Sequence, residues 1–192
     1  MRIWLAVAVL LIAPRFLNAN TIVLNFESFT DSDILTNQIA GVTFTNTVVL
    51  TAGISLNEID FPPHSGVNVV FDNNGPITIA FANPITQFAA YFTYVEPLTL
   101  AAFNASNTKI GSALSLFSIN TATGGAPGSS PNELIQFNSA TGISKVTIAG
   151  DPAGGSFVMD DVTLTTPAST VPEPTTACLM LAALTFIRRR TR

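Results

Sequence analysis

Three acidic residues in the central part of the chain have the chemistry of a calcium site. Glu27 closes an early segment rich in Val, Ile and Thr, and Asp160 and Asp161 lie together in a late one. Hard cations such as Ca²⁺ bind about six to eight oxygen atoms, which carboxylates, Asn25 and backbone carbonyls can supply. Neighbouring residues of a regular strand point to opposite faces, so only one of the two aspartates can share a site with Glu27 unless a bulge intervenes. The alternative is that all three are solvated charges at strand edges.

The sequence offers little for catalysis. His64 is the only histidine, and residues 61–66 around it contain no nucleophile elbow. Cys178 is the only cysteine, so sites built on cysteine and histidine clusters are excluded. No two of the many carboxylates stand out as a glycosidase pair. We therefore expect a protein that is not an enzyme, with an extracellular hydrolase acting on polysaccharide as the alternative.

The composition predicts one folded, acidic domain. The chain has 192 residues, of which 47% are hydrophobic and 10% charged, so it can bury a core. Residues 20–170 contain eleven acidic residues and two lysines, Lys109 and Lys145, which gives a formal charge of −9. Such a surface repels polyanions, so we expect no nucleic-acid partner.

The first 19 residues have the pattern of a secretory signal peptide. Met1-Arg2 provides a positive start, residues 3–13 are uniformly apolar, and Ala19 precedes a cleavage point before Asn20. An uninterrupted apolar run of this length rises only about 16 Å as a helix, which is too short for a bilayer.

The last residues have three parts in a fixed order. After a linker at 167–171 come Pro172, Glu173 and Pro174, then an apolar helix predicted at 175–187, then the Arg188, Arg189 and Arg190 cluster within 188–192. The prolines interrupt regular structure, and the arginines act as a cytoplasmic stop that leaves the domain outside. The apolar part is shorter than the roughly twenty residues of a full membrane span.

This tail, residues 172–192, resembles the PEP-CTERM sorting signal of Gram-negative and planctomycete-type bacteria. The resemblance implies recognition by an exosortase-type membrane protease and processing near Pro172, Glu173 and Pro174. It further implies transient anchoring of the tail helix in the inner membrane, then display at the cell surface or in the extracellular matrix. An ordinary, uncleaved tail anchor is the alternative.

Between the two signals, residues 20–166 alternate with period two and are rich in Val, Ile, Thr and Phe, which predicts strands. Short strands separated by turn residues favour an all-β, antiparallel β-sandwich, with a jelly roll as the expected version. The predicted strands are 21–27, 41–45, 48–52, 67–71, 77–81, 85–94, 98–104, 114–120, 133–138, 143–149 and 156–165.

The segments 25–27, 34–44 and 157–164 resemble the opening and closing strands of secreted jelly-roll modules related to carbohydrate-binding and galactose-binding-like domains. In that family the first and last strands are neighbours. The resemblance implies that Glu27 could hold a structural Ca²⁺ together with Asp160 or Asp161. Together these features predict an exported, non-catalytic protein with a binding or structural role, and exopolysaccharide as a candidate partner.

Overall fold

The computed structural model describes residues 19–168, and residues Ala19–Pro167 form one compact unit, here called the sandwich domain. It contains ten strands and no helix within that described range. The strands are β1 (Thr21–Leu24), β2 (Ile34–Leu35), β3 (Val42–Thr45), β4 (Thr47–Thr51), β5 (Asn68–Asp72), β6 (Ile77–Tyr94), β7 (Thr99–Phe103), β8 (Lys109–Leu114), β9 (Glu133–Ala149) and β10 (Phe157–Thr165).

All pairings between these strands are antiparallel, and they build the predicted sandwich. The first sheet consists of β2, β4, β5, β10, the second half of β6 and the first half of β9, with β1 beside the end of β10. The second sheet consists of β3, the first half of β6, the second half of β9, β7 and β8. The all-β jelly-roll prediction is confirmed, with the late strand β10 between β5 and β6 and the late strand β9 between β6 and β7.

Two long strands run through both sheets, where the sequence predicted four short ones. Strand β6 covers the predicted 77–81 and 85–94, and β9 covers 133–138 and 143–149. The register between them shifts on both sides of Ile85. The preceding residue, Pro84, has no N–H to donate to a neighbouring strand. The turn residues at this point therefore bend the strands from one sheet to the other without ending them.

The sequence misplaced one further strand and missed another. Strand β8 lies at Lys109–Leu114, whereas the sequence predicted 114–120. The chain leaves the sheet after Leu114 because Ser115 and Asn120 bind the ends of other strands: the Ser115 hydroxyl accepts from the Leu98 N–H and the Asn120 amide oxygen from the Tyr94 N–H. The two-residue β2 was not predicted, because a strand so short has no readable alternation.

The core lies between the sheets and follows the alternation of the strands. Phe88, Phe92 and Tyr94 of β6 pack there with residues from β3, β5, β7, β9 and β10. A smaller apolar cluster, Leu56, Val69 and Val158, lies on the outer side of the first sheet, under the segment that joins β4 to β5. Because all core residues fall between 26 and 164, the sandwich domain carries its own hydrophobic core.

The targeting segments fall almost entirely outside the described residues. This applies to the signal peptide up to residue 18, to most of the linker, to Pro172, Glu173 and Pro174, to the apolar segment 175–187 and to Arg188, Arg189 and Arg190. Within the part that the structure describes, no helix is long and apolar enough to cross a membrane.

Candidate functional site

The three acidic residues singled out from the sequence all contact one short segment between β4 and β5. Glu27 Oε1 accepts hydrogen bonds from the N–H groups of Val67 and Asn68, at 3.1 and 2.9 Å. Asp160 Oδ2 accepts from the N–H groups of His64 and Ser65, both at 2.9 Å. The segment 61–68, here called the His64 loop, is thus held over the outer side of the first sheet by carboxylates.

A β-bulge brings both aspartates to the same side. The register of β10 against β6 shifts between Asp160 and Thr163, and Asp161 adopts a positive φ of 46°. Asp161 then binds His64 Nδ1 at 2.7 Å and the Ser65 hydroxyl at 2.9 Å. The bulge was the condition under which both aspartates could serve one site, and the structure contains it.

Gly66 lets Glu27 approach the loop closely. Its φ is +56°, and a Cβ built there would lie 2.3 Å from the Glu27 carboxyl carbon. A Cβ there would push the Glu27 carboxylate, the flexible end of a side chain, away from the Val67 and Asn68 N–H groups that it binds. The positive φ favours glycine, and the missing Cβ leaves room for Glu27.

Burial sets the electrostatics beneath the loop. Asp160 is only 1% exposed, and burial raises its pKa to about 6, although N–H donors from Ser65, Asp161 and His64 act in the opposite direction. Repulsion from the Asp161 carboxylate raises the pKa further. Asp160 is therefore a structural acceptor under the loop and has little access to solvent.

The donors around these carboxylates do not fit a shared calcium ion. Asp160 and Glu27 face N–H groups, which cannot coordinate a cation, and Asp161 faces His64 and Ser65. Within residues 19–168, no group of three or more His, Cys, Asp or Glu side chains is placed to hold a metal ion. The calcium site stays a prediction, and calorimetric titration of the sandwich domain with CaCl₂ would test it.

Beside the carboxylates, the His64 ring stacks on the ring of Tyr91. Their centroids are 3.4 Å apart and their planes differ by 10°. Tyr91 projects from β6 to the outer side of the sheet, opposite Asp160 on one neighbour and Leu134 on the other. The His64 side chain keeps 35% of its surface exposed. The two stacked rings form one aromatic surface, and the hydrogen bond to Asp161 fixes the position of the His64 ring.

A line of hydrogen-bonded polar side chains crosses the same outer face at the other end of the strands. Thr21 and Thr165 hydroxyls are 3.1 Å apart, Thr165 donates to Gln87 Oε1 at 3.0 Å, and Gln87 Nε2 donates to Gln136 Oε1 at 3.3 Å. These four residues, here called the polar ladder, come from β1, β10, β6 and β9. Their mutual hydrogen bonds orient the amides before any ligand arrives.

Ala89 lies between the polar ladder and the aromatic pair. It is on the same face of β6, two residues from Gln87 and two from Tyr91, and has no side chain beyond Cβ. Gln87 and Tyr91 are therefore about 14 Å apart along β6, and Gln136 of the ladder lies opposite Ala89 on β9. This part of the outer face, here called the Ala89 trough, has an aromatic end and an amide-rich end, and Ala89 between them is 5% exposed.

The described residues also bear on the hydrolase alternative. Ser65 and His64 both bind the Asp161 carboxylate, so this trio lacks the serine-to-histidine hydrogen bond of a nucleophilic triad. Two pockets on the domain have no acidic lining residue. One lies beside β3 and Phe81, and the other lies beneath Leu56 and Phe61. Neither provides the facing carboxylates that glycoside hydrolysis requires.

The sequence did not identify the polar ladder or the stacked pair. The available signal was the pair Gln87 and Tyr91, which are half-buried and lie on the same face of β6 on either side of the buried residues 88–90. This spacing indicates an outer face with amide and aromatic groups, although not its partner strands.

No family model matches the chain, and no curated protein sequence matches it. Among solved structures, it is similar to the K2 cleaved adhesin domain of Lys-gingipain, with 15% identity and a TM-score of 0.49 over 76% of this chain and 99% of that one. It is also similar to a DUF4465 family protein from Bacteroides caccae, with 12% identity and a TM-score of 0.45 over 76% and 98%. A third is the family 29 carbohydrate-binding module CBM29_1 from Piromyces equi, with 10% identity and a TM-score of 0.42 over 78% and 91%.

Proposed function

We propose that the protein is an exported, non-catalytic module that binds a neutral polysaccharide in the Ala89 trough. The observation that carries the proposal is the combination, on one face of the first sheet, of the His64–Tyr91 pair with the pre-oriented polar ladder. A sugar ring offers an apolar face and a rim of hydroxyls. Aromatic rings pack against the first, while amides and hydroxyls hydrogen-bond the second.

The charge of the face selects neutral glycans. Asp160 and Asp161 lie at the aromatic end, and neither lysine of the sandwich domain lies on this sheet. A uronic acid carboxylate bound at this end would lie near the Asp161 carboxylate, so acidic polysaccharides should bind more weakly.

Export and display are part of the same proposal. The signal peptide before Asn20 would carry the chain out, and the tail with Pro172, Glu173 and Pro174 would be read by an exosortase-type protease. Both ends of the sandwich domain emerge side by side, because Thr166 N–H donates to Asn20 O at 2.8 Å. Tyr91 pairs with Asp160, near the other end of β10 from this exit point, so a tether at the C-terminus would leave the aromatic end of the trough accessible.

Affinity electrophoresis of the sandwich domain tests the proposal. Gels would contain hydroxyethyl cellulose, galactomannan or mixed-linkage β-glucan as neutral polymers, and alginate or polygalacturonate as acidic ones. We expect retardation by at least one neutral polymer and weakening by about tenfold or more in Tyr91→Ala, the effect of removing a central aromatic anchor. Gln87→Ala should weaken binding less.

Thr43→Ala is the matched control. Thr43 is an exposed strand residue of β3 in the other sheet, so its loss should leave retardation unchanged. Equal weakening by Thr43→Ala and Tyr91→Ala, or retardation by the acidic polymers alone, would contradict the proposal.

A further inference from the structure

Every exposed sheet edge in the domain has a feature that discourages pairing with another chain, except one. Strand β2 has two residues, β1 and β3 have four each, and β8 carries Lys109 and a register shift. Short strands, lysines and bulges are the usual ways in which natural proteins protect such edges. The exception is the first half of β9.

Residues 133–138 of β9 pair with β6 on one side only. Strand β7 pairs with β9 later, at residues 145–149, and no described residue outside β6 forms a backbone hydrogen bond with residues 134–138. This stretch contains no lysine and no proline, and its register against β6 is regular from Glu133 to Asn138. Its side chains Leu134, Gln136 and Asn138 are exposed, Leu134 at 48%.

We infer that this edge pairs antiparallel with the same edge of a second copy of the chain, so that the first sheets of two copies become continuous. A twofold axis through a residue keeps inner and outer faces aligned, and an axis at Gln136 is centred on the stretch 134–138 that has no second backbone partner. It places Gln136 opposite its counterpart, Ile135 opposite Phe137, and Leu134 opposite Asn138.

The charges of this edge are compatible with a second copy as the occupant. The only charged residue of the stretch, Glu133, falls opposite the uncharged Ser139 in this register, so no like charges face each other despite the acidity of the domain. The inner pair, Ile135 with Phe137, is apolar, and the central pair of amides can hydrogen-bond each other. A single strand pair is a small contact, so the dimer should be reversible and depend on concentration.

Pairing would also enlarge the face that carries the trough. Leu134, Gln136 and Asn138 occupy the rows of Tyr91, Ala89 and Gln87, so the counterpart strand would continue those rows into the second copy. The association itself does not depend on polysaccharide and is measured without it, so its failure and the failure of the proposed binding can be distinguished.

Sedimentation equilibrium over a range of concentrations tests the inference. The wild-type sandwich domain should approach the mass of a dimer. Gln136→Lys should stay monomeric because it places two lysines opposite each other, whereas Ser112→Lys on β8, with the same change of net charge, should still dimerise. Circular dichroism would show that both variants are folded.

A mixture of Gln136→Lys with Gln136→Glu tests the register. If the axis lies at Gln136, each variant alone is monomeric and the equimolar mixture dimerises, since lysine then faces glutamate. A monomeric wild-type domain at its highest soluble concentration, or a mixture that stays monomeric while the wild type dimerises, would overturn the inference.

Discussion

The imidazole ring of His64 lies nearly parallel to the phenol ring of Tyr91, with 3.4 Å between the centroids, and Asp161 binds the edge of the imidazole through Nδ1 at 2.7 Å. A residue from a loop and a residue from the central strand β6 thus form one rigid surface. The carboxylate that holds this surface belongs to a third element, β10. The proposed ligand site depends on how well this contact is maintained.

Replacing His64 should weaken the fold as well as the site. His64→Ala loses the stack and the hydrogen bond to Asp161, which together should lower the free energy of unfolding by about 1–2 kcal/mol. His64→Phe keeps the stack and loses only the hydrogen bond, so its loss should be smaller. Urea unfolding followed by circular dichroism measures both, and equal losses would show that the stack contributes nothing.

Gly66→Ala should destabilise the domain more than Gly53→Ala, a substitution at another glycine with a positive φ. Gly53 has φ +77° and no atom within 4 Å of the point where a Cβ would lie, whereas Gly66 has φ +56° with the Glu27 carboxyl carbon at 2.3 Å from that point. We expect about 1 kcal/mol of destabilisation for Gly53→Ala and about 3 kcal/mol for Gly66→Ala. Thermal or urea unfolding gives the difference, and similar values for both would mean that Glu27 does not hold the loop at that distance.

The raised pKa of Asp160 should make stability depend on pH in a defined direction. A carboxyl whose pKa rises from 3.8 to about 6 on folding binds more protons in the folded state, so its contribution is complete below pH of about 4 and is lost as pH rises through about 6. Burial also raises the pKa of Asp72, which therefore acts in the same direction.

Asp160→Asn separates the two contributions. Its free energy of unfolding should change less between pH 4 and 7 than that of the wild type, because one of the two protonating carboxyls is gone. Urea unfolding at a series of pH values provides the comparison. The same slope in both proteins would contradict the raised pKa of Asp160 and assign the effect to Asp72.

Tyr94 provides an optical test of the hydrogen bond between its phenol and the Glu133 carboxylate. Its phenol hydrogen-bonds the Glu133 carboxylate, and burial together with this carboxylate raises the pKa of Tyr94 to about 12. In Tyr91→Phe, Tyr94 is the only tyrosine left in the chain. Absorbance at alkaline pH should then show one transition near pH 12, and a midpoint near 10 in the folded protein would mean that Tyr94 is neither buried nor in contact with Glu133.

The sheet architecture was predictable because it depends on alternation, which each strand carries locally. Val42 and Phe44, or Ile77 and Ile79, indicate which side of each strand is buried without knowledge of its neighbours. The merging of short strands into β6 and β9 was not predictable, because Pro84 marks a turn and a bent strand equally well.

The candidate site was predictable only in part. Glu27, Asp160 and Asp161 were selected from residue type, and they do converge on one segment. Glu27 and Asp160, however, bind N–H groups that are distant in the chain. Val67 is 40 positions from Glu27, and Ser65 is 95 positions from Asp160. No local pattern specifies such contacts, and the bulge that directs Asp161 to the same side is equally invisible in the sequence.

Chemical-shift mapping tests directly whether a neutral glycan binds in the Ala89 trough. The ¹⁵N-labelled sandwich domain would be titrated with a neutral oligosaccharide derived from the polymer that retards it most. We expect concentration-dependent shifts at His64, Tyr91, Ala89 and the side-chain amides of Gln87 and Gln136, with little change at Thr43. Shifts confined to the second sheet, or none with any neutral oligosaccharide of the panel, would contradict it.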